Sequence, residues 1–174
     1  MQANESHRAA GRLVSLAAVL MAMLACPAFA QQGSLAKEIE GTWNLVSNYN
    51  EQDGKRMEPF GANPRGMMIL TAGGRFAIMM MKANLPAFAA NNRLQGTADE
   101  NQAVVQGTVA YFGTYSVLSE NEKTISLRIE GSTFPNWVGQ EQKRVMSVSG
   151  DQMNLTNPSA AVGGTNYVVF KRVK

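Results

Sequence analysis

The sequence predicts an all-β domain, an antiparallel barrel or sandwich of about eight strands with one short inserted helix. Three observations carry this. Short extended segments recur between turn signals such as Asp53-Gly54, Gly73-Gly74 and Gly150-Asp151. Within a segment the side chains alternate: Ile125, Leu127 and Ile129 fall on one face, Ser126, Arg128 and Glu130 on the other. A single stretch, Thr97-Ala98-Asp99-Glu100, has the S/T-x-x-E form that opens a helix.

Taken in order, the chain starts with what reads as a secretory leader. His7, Arg8 and Arg12 form a positive n-region, Leu13 to Cys26 an apolar h-region, and Ala28-Phe29-Ala30 a cleavage site. The apolar run is too short for a membrane-spanning helix, which needs about 20 residues. Pro27 disfavours acylation of Cys26. Cleavage after Ala30 and export to the periplasm or medium are therefore expected, with residues 31–37 a linker and 38–174 the folded domain.

The first strand runs from Thr42 to Asn50 and stops at Glu51-Gln52-Asp53-Gly54. Gly66 to Thr71 and Arg75 to Lys82 pair across Ala72-Gly73-Gly74. After the loop Ala83 to Gly96 comes the helix, Asn101 to Gln106 beyond the capping box. Val109 to Leu118 and Lys123 to Glu130 flank Ser119 to Glu122. Gly139 to Ser149 and Gln152 to Asn157 join through Gly150-Asp151, and Thr165 to Val173 closes the domain. Eight strands are enough to close a barrel.

Composition removes several chemistries. The only cysteine, Cys26, and the only histidine, His7, both belong to the leader. The exported chain is thus expected to lack thiol and imidazole, which excludes Cys or Ser–His nucleophilic sites and zinc sites built on His or Cys. The formal charge of +3 is carried by scattered Lys and Arg with no basic stripe, so nucleic acid is not an expected partner. Of 11 methionines, five cluster at Met67, Met68, Met79, Met80 and Met81, where they either fill core or line an adaptable apolar pocket.

Several motifs then occur in order. Gly41-Thr42-Trp43 opens the first strand. It is followed by Pro59-Phe60-Gly61-x-Asn63-Pro64-x-Gly66, by Ala110-Tyr111-x-Gly113-Thr114-Tyr115, and by Phe134-Pro135-Asn136-Trp137-Val138-Gly139-x-Glu141-Gln142-x-Arg144. Together they resemble the lipocalin-like domain family, distant relatives of the calycins, over nearly all of residues 38–173. The resemblance implies an up-and-down lipocalin-like barrel in which Trp43 seals one end under a basic side chain of the last strand, Arg172 or Lys171, with Gly41 beside it. Members of that family often carry a histidine before the F-P-N-W loop, where this chain has Leu127-Arg128-Ile129-Glu130; a role for that imidazole does not carry over.

The expected function is binding of a small, largely apolar molecule, with or without a carboxylate, in the barrel cavity. Met68, Met80, Tyr111, Tyr115, Trp137, Gln142 and Arg144 are the candidate ligand contacts. If Arg144 faces the lumen, pairing with a carboxylate such as Glu130 is expected, because an unpaired buried charge is costly; Arg128 is expected at the surface. Neither cofactor nor metal is expected, nor integration into a membrane. One alternative is an isomerase or cyclase using Glu130, Tyr111 and Tyr115 as acid and base, with burial raising the Glu130 pKa. Another is a structural or interaction barrel packed solid.

Overall fold

The computed structural model describes residues 34–174, so the expected leader and its cleavage site lie outside the described residues. Nine strands form one antiparallel sheet: β1 (Gly41–Gln52), β2 (Lys55–Met57), β3 (Arg65–Leu70), β4 (Arg75–Met81), β5 (Thr108–Ser119), β6 (Thr124–Ser132), β7 (Glu141–Ser149), β8 (Gln152–Asn157) and β9 (Thr165–Arg172). Consecutive strands pair from β3 to β9, β1 pairs with β3, and β1 also pairs with β9. That last pairing closes eight strands into a barrel and leaves no free edge there. Strand β2 is an extra ribbon folded back on the end of β1, pairing Gln52 with Lys55. Each sequence-predicted strand is present, with ends within two residues of expectation.

Two helices complete the described fold. The sequence carries no sign of α1 (Leu35–Ile39), because five residues give no repeat to read. Helix α2 (Ala98–Gly107) begins at the predicted capping box: Thr97 Oγ1 accepts from the Glu100 amide at 3.2 Å, and Glu100 Oε2 accepts from the Thr97 amide at 2.8 Å.

Barrel interiors are read from alternation, and here bulges reset it. Along β1, Trp43 and Leu45 point inward; Val46 is an extra residue opposite β9, and from there Asn48 and Asn50 point inward instead. In β6, Glu130 is the extra residue opposite Phe112 and Gly113 and projects outward. Gly113 is required where it stands, since a Cβ there would run into the Arg128 carbonyl of the neighbouring strand.

The two ends of the barrel differ in their connections. At the base, tight turns join β3 to β4, β5 to β6 and β7 to β8. At the mouth lie the long connections: residues 58–64, the segment 82–97 with α2, the loop with the 3-10 turn Pro135–Trp137, and residues 158–164.

The base is packed shut. Trp43, Met68, Leu70, Phe76, Ile125 and Met146 are all buried there, each contributing about 1.5–3 kcal/mol by leaving water. Leu35 and Ile39, one helical turn apart on α1, are fully buried beneath them. The Leu35 amide donates to Glu120 Oε2 at 2.7 Å and Lys123 pairs with Glu38 at 3.3 Å, which straps α1 to the β5–β6 turn. The Trp43 indole N–H donates to the Ile39 carbonyl at 2.8 Å, and the Arg172 guanidinium lies 4.0 Å above the ring. Arg172 also donates to the carbonyls of Glu38 and Glu40, both at 2.7 Å. Of the two basic candidates it is Arg172, not Lys171, that covers the indole. Gly41 has φ +127°, and a Cβ on it would come within 2.9 Å of Arg172 Nη1. Glycine two residues before this tryptophan therefore makes room for the cation above it.

Candidate functional site

Above the packed base the barrel is hollow. A cavity of about 440 Å³ opens at the mouth, within the range of small-molecule pockets, roughly 300–1,000 Å³. Its floor is Phe170 and Ile78; Met80, Leu155 and Val168 form walls; Val105 of α2 and Phe60 stand at the rim. An aromatic ladder climbs from core to rim. Phe76 meets Tyr111 edge to face at 5.9 Å, Tyr111 meets Trp137 at 5.0 Å, and Trp137 meets Phe134 at 5.5 Å. Such pairs hold rings in place by about 0.5–1.5 kcal/mol beyond burial.

The polar part of the lining is nearly all amide. Asn166 Nδ2 donates to Asn50 Oδ1 at 2.7 Å and to the Tyr49 carbonyl at 3.1 Å. Asn48 Nδ2 donates to Asn166 Oδ1 at 3.3 Å, and Asn50 Nδ2 to the Gly163 carbonyl at 3.0 Å, tying the 158–164 loop to β1. Asn48 Oδ1 is buried with no partner among the described residues.

Arg144 is the one charged lining residue among those described, and it is only 2% exposed. Its Nη1 donates to Asn157 Oδ1 at 3.1 Å and to the Lys143 carbonyl at 2.8 Å, and its Nη2 donates to Gln142 Oε1. Its Nε is buried without a partner. The expected pairing with a carboxylate is a correction. Glu130 lies on the outer face with Ser126 and Arg128, as the alternation of β6 places it, and pairs with Arg75 at 2.8 Å; Glu141 pairs with Arg128 at 3.4 Å on the same exposed face. The neighbours that do hold Arg144 are neutral amides.

Of the sequence-predicted contacts, Met80, Tyr111, Trp137 and Arg144 meet in the cavity lining. Gln142 shares the inward face of β7 one step nearer the mouth, where its Oε1 accepts from Arg144 Nη2, but it lies outside the lining. Met68 is buried in the base beside Trp43 on the paired strand and lies outside the lining. Tyr115 points inward near the base too, where its hydroxyl donates to the Thr71 carbonyl at 2.9 Å. Burial, followed by the negative charge of Glu40, raises its pKa. Glu130, Tyr111 and Tyr115 do not converge, so the acid–base constellation of the enzyme alternative is not assembled. Among the described residues no cluster of His, Cys, Asp or Glu could hold a metal ion.

Asn48, Asn50, Asn157 and Asn166 lacked a sequence signal. Asn48 and Asn50 alternate with Tyr49, which fits a polar outer face equally well, and only the Val46 bulge turns them inward. Phe60 was legible as part of a motif, but not as a rim residue.

A closed barrel, corked at one end and hollow at the other, defines the class: an antiparallel β-barrel with an interior cavity open at its mouth. The chain belongs to the lipocalin-like domain family, whose model matches residues 40–172. It is similar to the 4'-hydroxy-3'-methoxypropiophenone carrier protein of Aspergillus oryzae, with 29% identity over 82 residues, which cover 44% of this chain and 74% of that protein. A crystal structure of a lipocalin-like protein from Bacteroides uniformis matches with a TM-score of 0.43 and 14% identity, covering 78% of this chain and 99% of the other.

Proposed function

We propose that this protein binds one small, largely apolar molecule in the barrel cavity and acts as its carrier, as an exported protein. The observation that carries the reading is the cavity in the upper half of the barrel, about 440 Å³, walled by Ile78, Met80, Tyr111, Leu155 and Val168 and open at the mouth. A core packed for stability alone has no voids of this size, because each forfeits contact and burial energy. The fungal relative named as a carrier of an aryl ketone supports carriage of an aromatic compound. The leader-like residues 1–30 support export.

The test is titration with N-phenylnaphthylamine, a neutral apolar dye that brightens out of water. Saturable one-to-one binding is expected, together with a co-purified small molecule in native mass spectra of protein from its own host. A dye response that never saturates, or none, contradicts the reading. The leader is checked separately by the N-terminus of the exported protein, expected at Gln31.

A further inference from the structure

The geometry points to a ligand that carries an anionic head, a carboxylate on an apolar body, seated against Arg144. The inference rests on the cavity-binding reading above and adds the chemical class of the occupant. Arginine does not give up its proton in proteins, so Arg144 is a permanent cation. It lies 2% exposed in the wall of a mostly apolar chamber, and no Asp or Glu among the described residues is within ion-pair distance of it. Every other ion pair in the described residues sits at the surface or at the α1 strap. Arg75, Arg128 and Arg56 pair with Glu130, Glu141 and Glu58; Arg65 and Arg93 have no carboxylate partner among the described residues but are exposed, and Arg172 is held by an indole face and two carbonyls. Arg144 alone is buried and left with amides.

Amides satisfy hydrogen bonds but not charge. A guanidinium has five N–H donors, and three of them are engaged by Asn157, the Lys143 carbonyl and Gln142. The remaining two are on Nε and Nη2, the side of the fork that takes a carboxylate in paired hydrogen bonds. Nε is sealed from solvent, so an anion pairs with this edge by displacing a neighbour. Gln142 is the one that gives way: half-buried, with its amide nitrogen held only by a 3.4 Å bond to Gln140. The apolar body then lies across Met80 and Tyr111 toward Trp137 and the mouth. In this low-dielectric setting the ion pair gains strength it would not have in water.

The experiment is competition of decanoate and of decanol against N-phenylnaphthylamine at neutral pH, in the wild type, Arg144→Met and Arg144→Lys. The two competitors share an alkyl chain and differ in charge. The ratio of decanoate to decanol affinity is expected to fall roughly tenfold or more in Arg144→Met, the scale of a charge-assisted hydrogen bond. Arg144→Lys is expected to keep part of the ratio. Decanol and dye affinities should hold within about threefold, which shows a folded cavity. A ratio that does not change in Arg144→Met, or a wild type that rejects decanoate, overturns the anionic head while cavity binding stands. Loss of dye and both competitors together in Arg144→Met assigns the residue to architecture and also overturns it. A wild type that does not bind the dye removes the cavity reading, and this inference with it.

Discussion

The base and the mouth of this barrel are built from the same strands and solve opposite problems. At the base every polar group near Trp43 has an internal partner: the indole N–H on the Ile39 carbonyl, and Arg172 on two α1 carbonyls and on the ring itself. At the mouth the same strands carry Asn48, whose Oδ1 has no partner, and Arg144, whose charge has none. Satisfied groups rigidify; unsatisfied ones are a standing cost that a ligand removes. The contrast separates stability from binding, and it predicts that substitutions at the two ends report in different assays.

The largest effect belongs to the base. Trp43→Ala should lose about 3–5 kcal/mol of unfolding free energy in urea, from the cavity it leaves. A loss under about 1 kcal/mol would mean that the ring does not seal the barrel. Arg172→Met removes the cation above the ring and both α1 carbonyl bonds, and should cost about 1–3 kcal/mol. It should leave dye affinity unchanged. At the mouth the pattern reverses. Trp137→Ala should weaken N-phenylnaphthylamine binding about tenfold, through loss of the ring's apolar contact with the bound dye. It should move the unfolding midpoint less than Trp43→Ala does, since this side chain is only half-buried at the rim of the core.

The smallest effect is in the segment over the mouth. Glu100 accepts from the amides of Ala89 and Thr97, both at 2.8 Å, and these bonds hold its carboxyl below the usual glutamate range. Because the folded pKa is lowered, the restraint is fully present above the unfolded value. It is lost as pH falls through the folded one. The protection factors of the Ala89 and Thr97 amides, corrected for intrinsic exchange, should fall on acidification in the wild type, whereas in Glu100→Ala they should be low throughout. Equal protection in both would show that Glu100 does not hold the segment.

The legible part of this molecule is the part governed by local rules. Strand ends followed the Gly-rich turns, α2 followed its capping box, and the G-x-W motif placed the cork and its cation. The site was less legible because facing depends on bulges. One extra residue, Val46, turned Asn48 and Asn50 into the cavity. A period-two count cannot detect an insertion that the partner strand absorbs. The spacing of Gln142 and Arg144 showed that they share a strand face, but which way that face points, and the absence of a carboxylate partner, were not legible, since both are register properties.

The central claim is that the barrel is corked at Trp43 and occupied near Trp137, and the two indoles report on it separately. Decanol is titrated into Trp43→Phe protein, where emission comes from Trp137, and into Trp137→Phe protein, where it comes from Trp43. The account predicts a saturable blue shift from Trp137 and none from Trp43. Equal shifts from both, or no shift from Trp137, would contradict it.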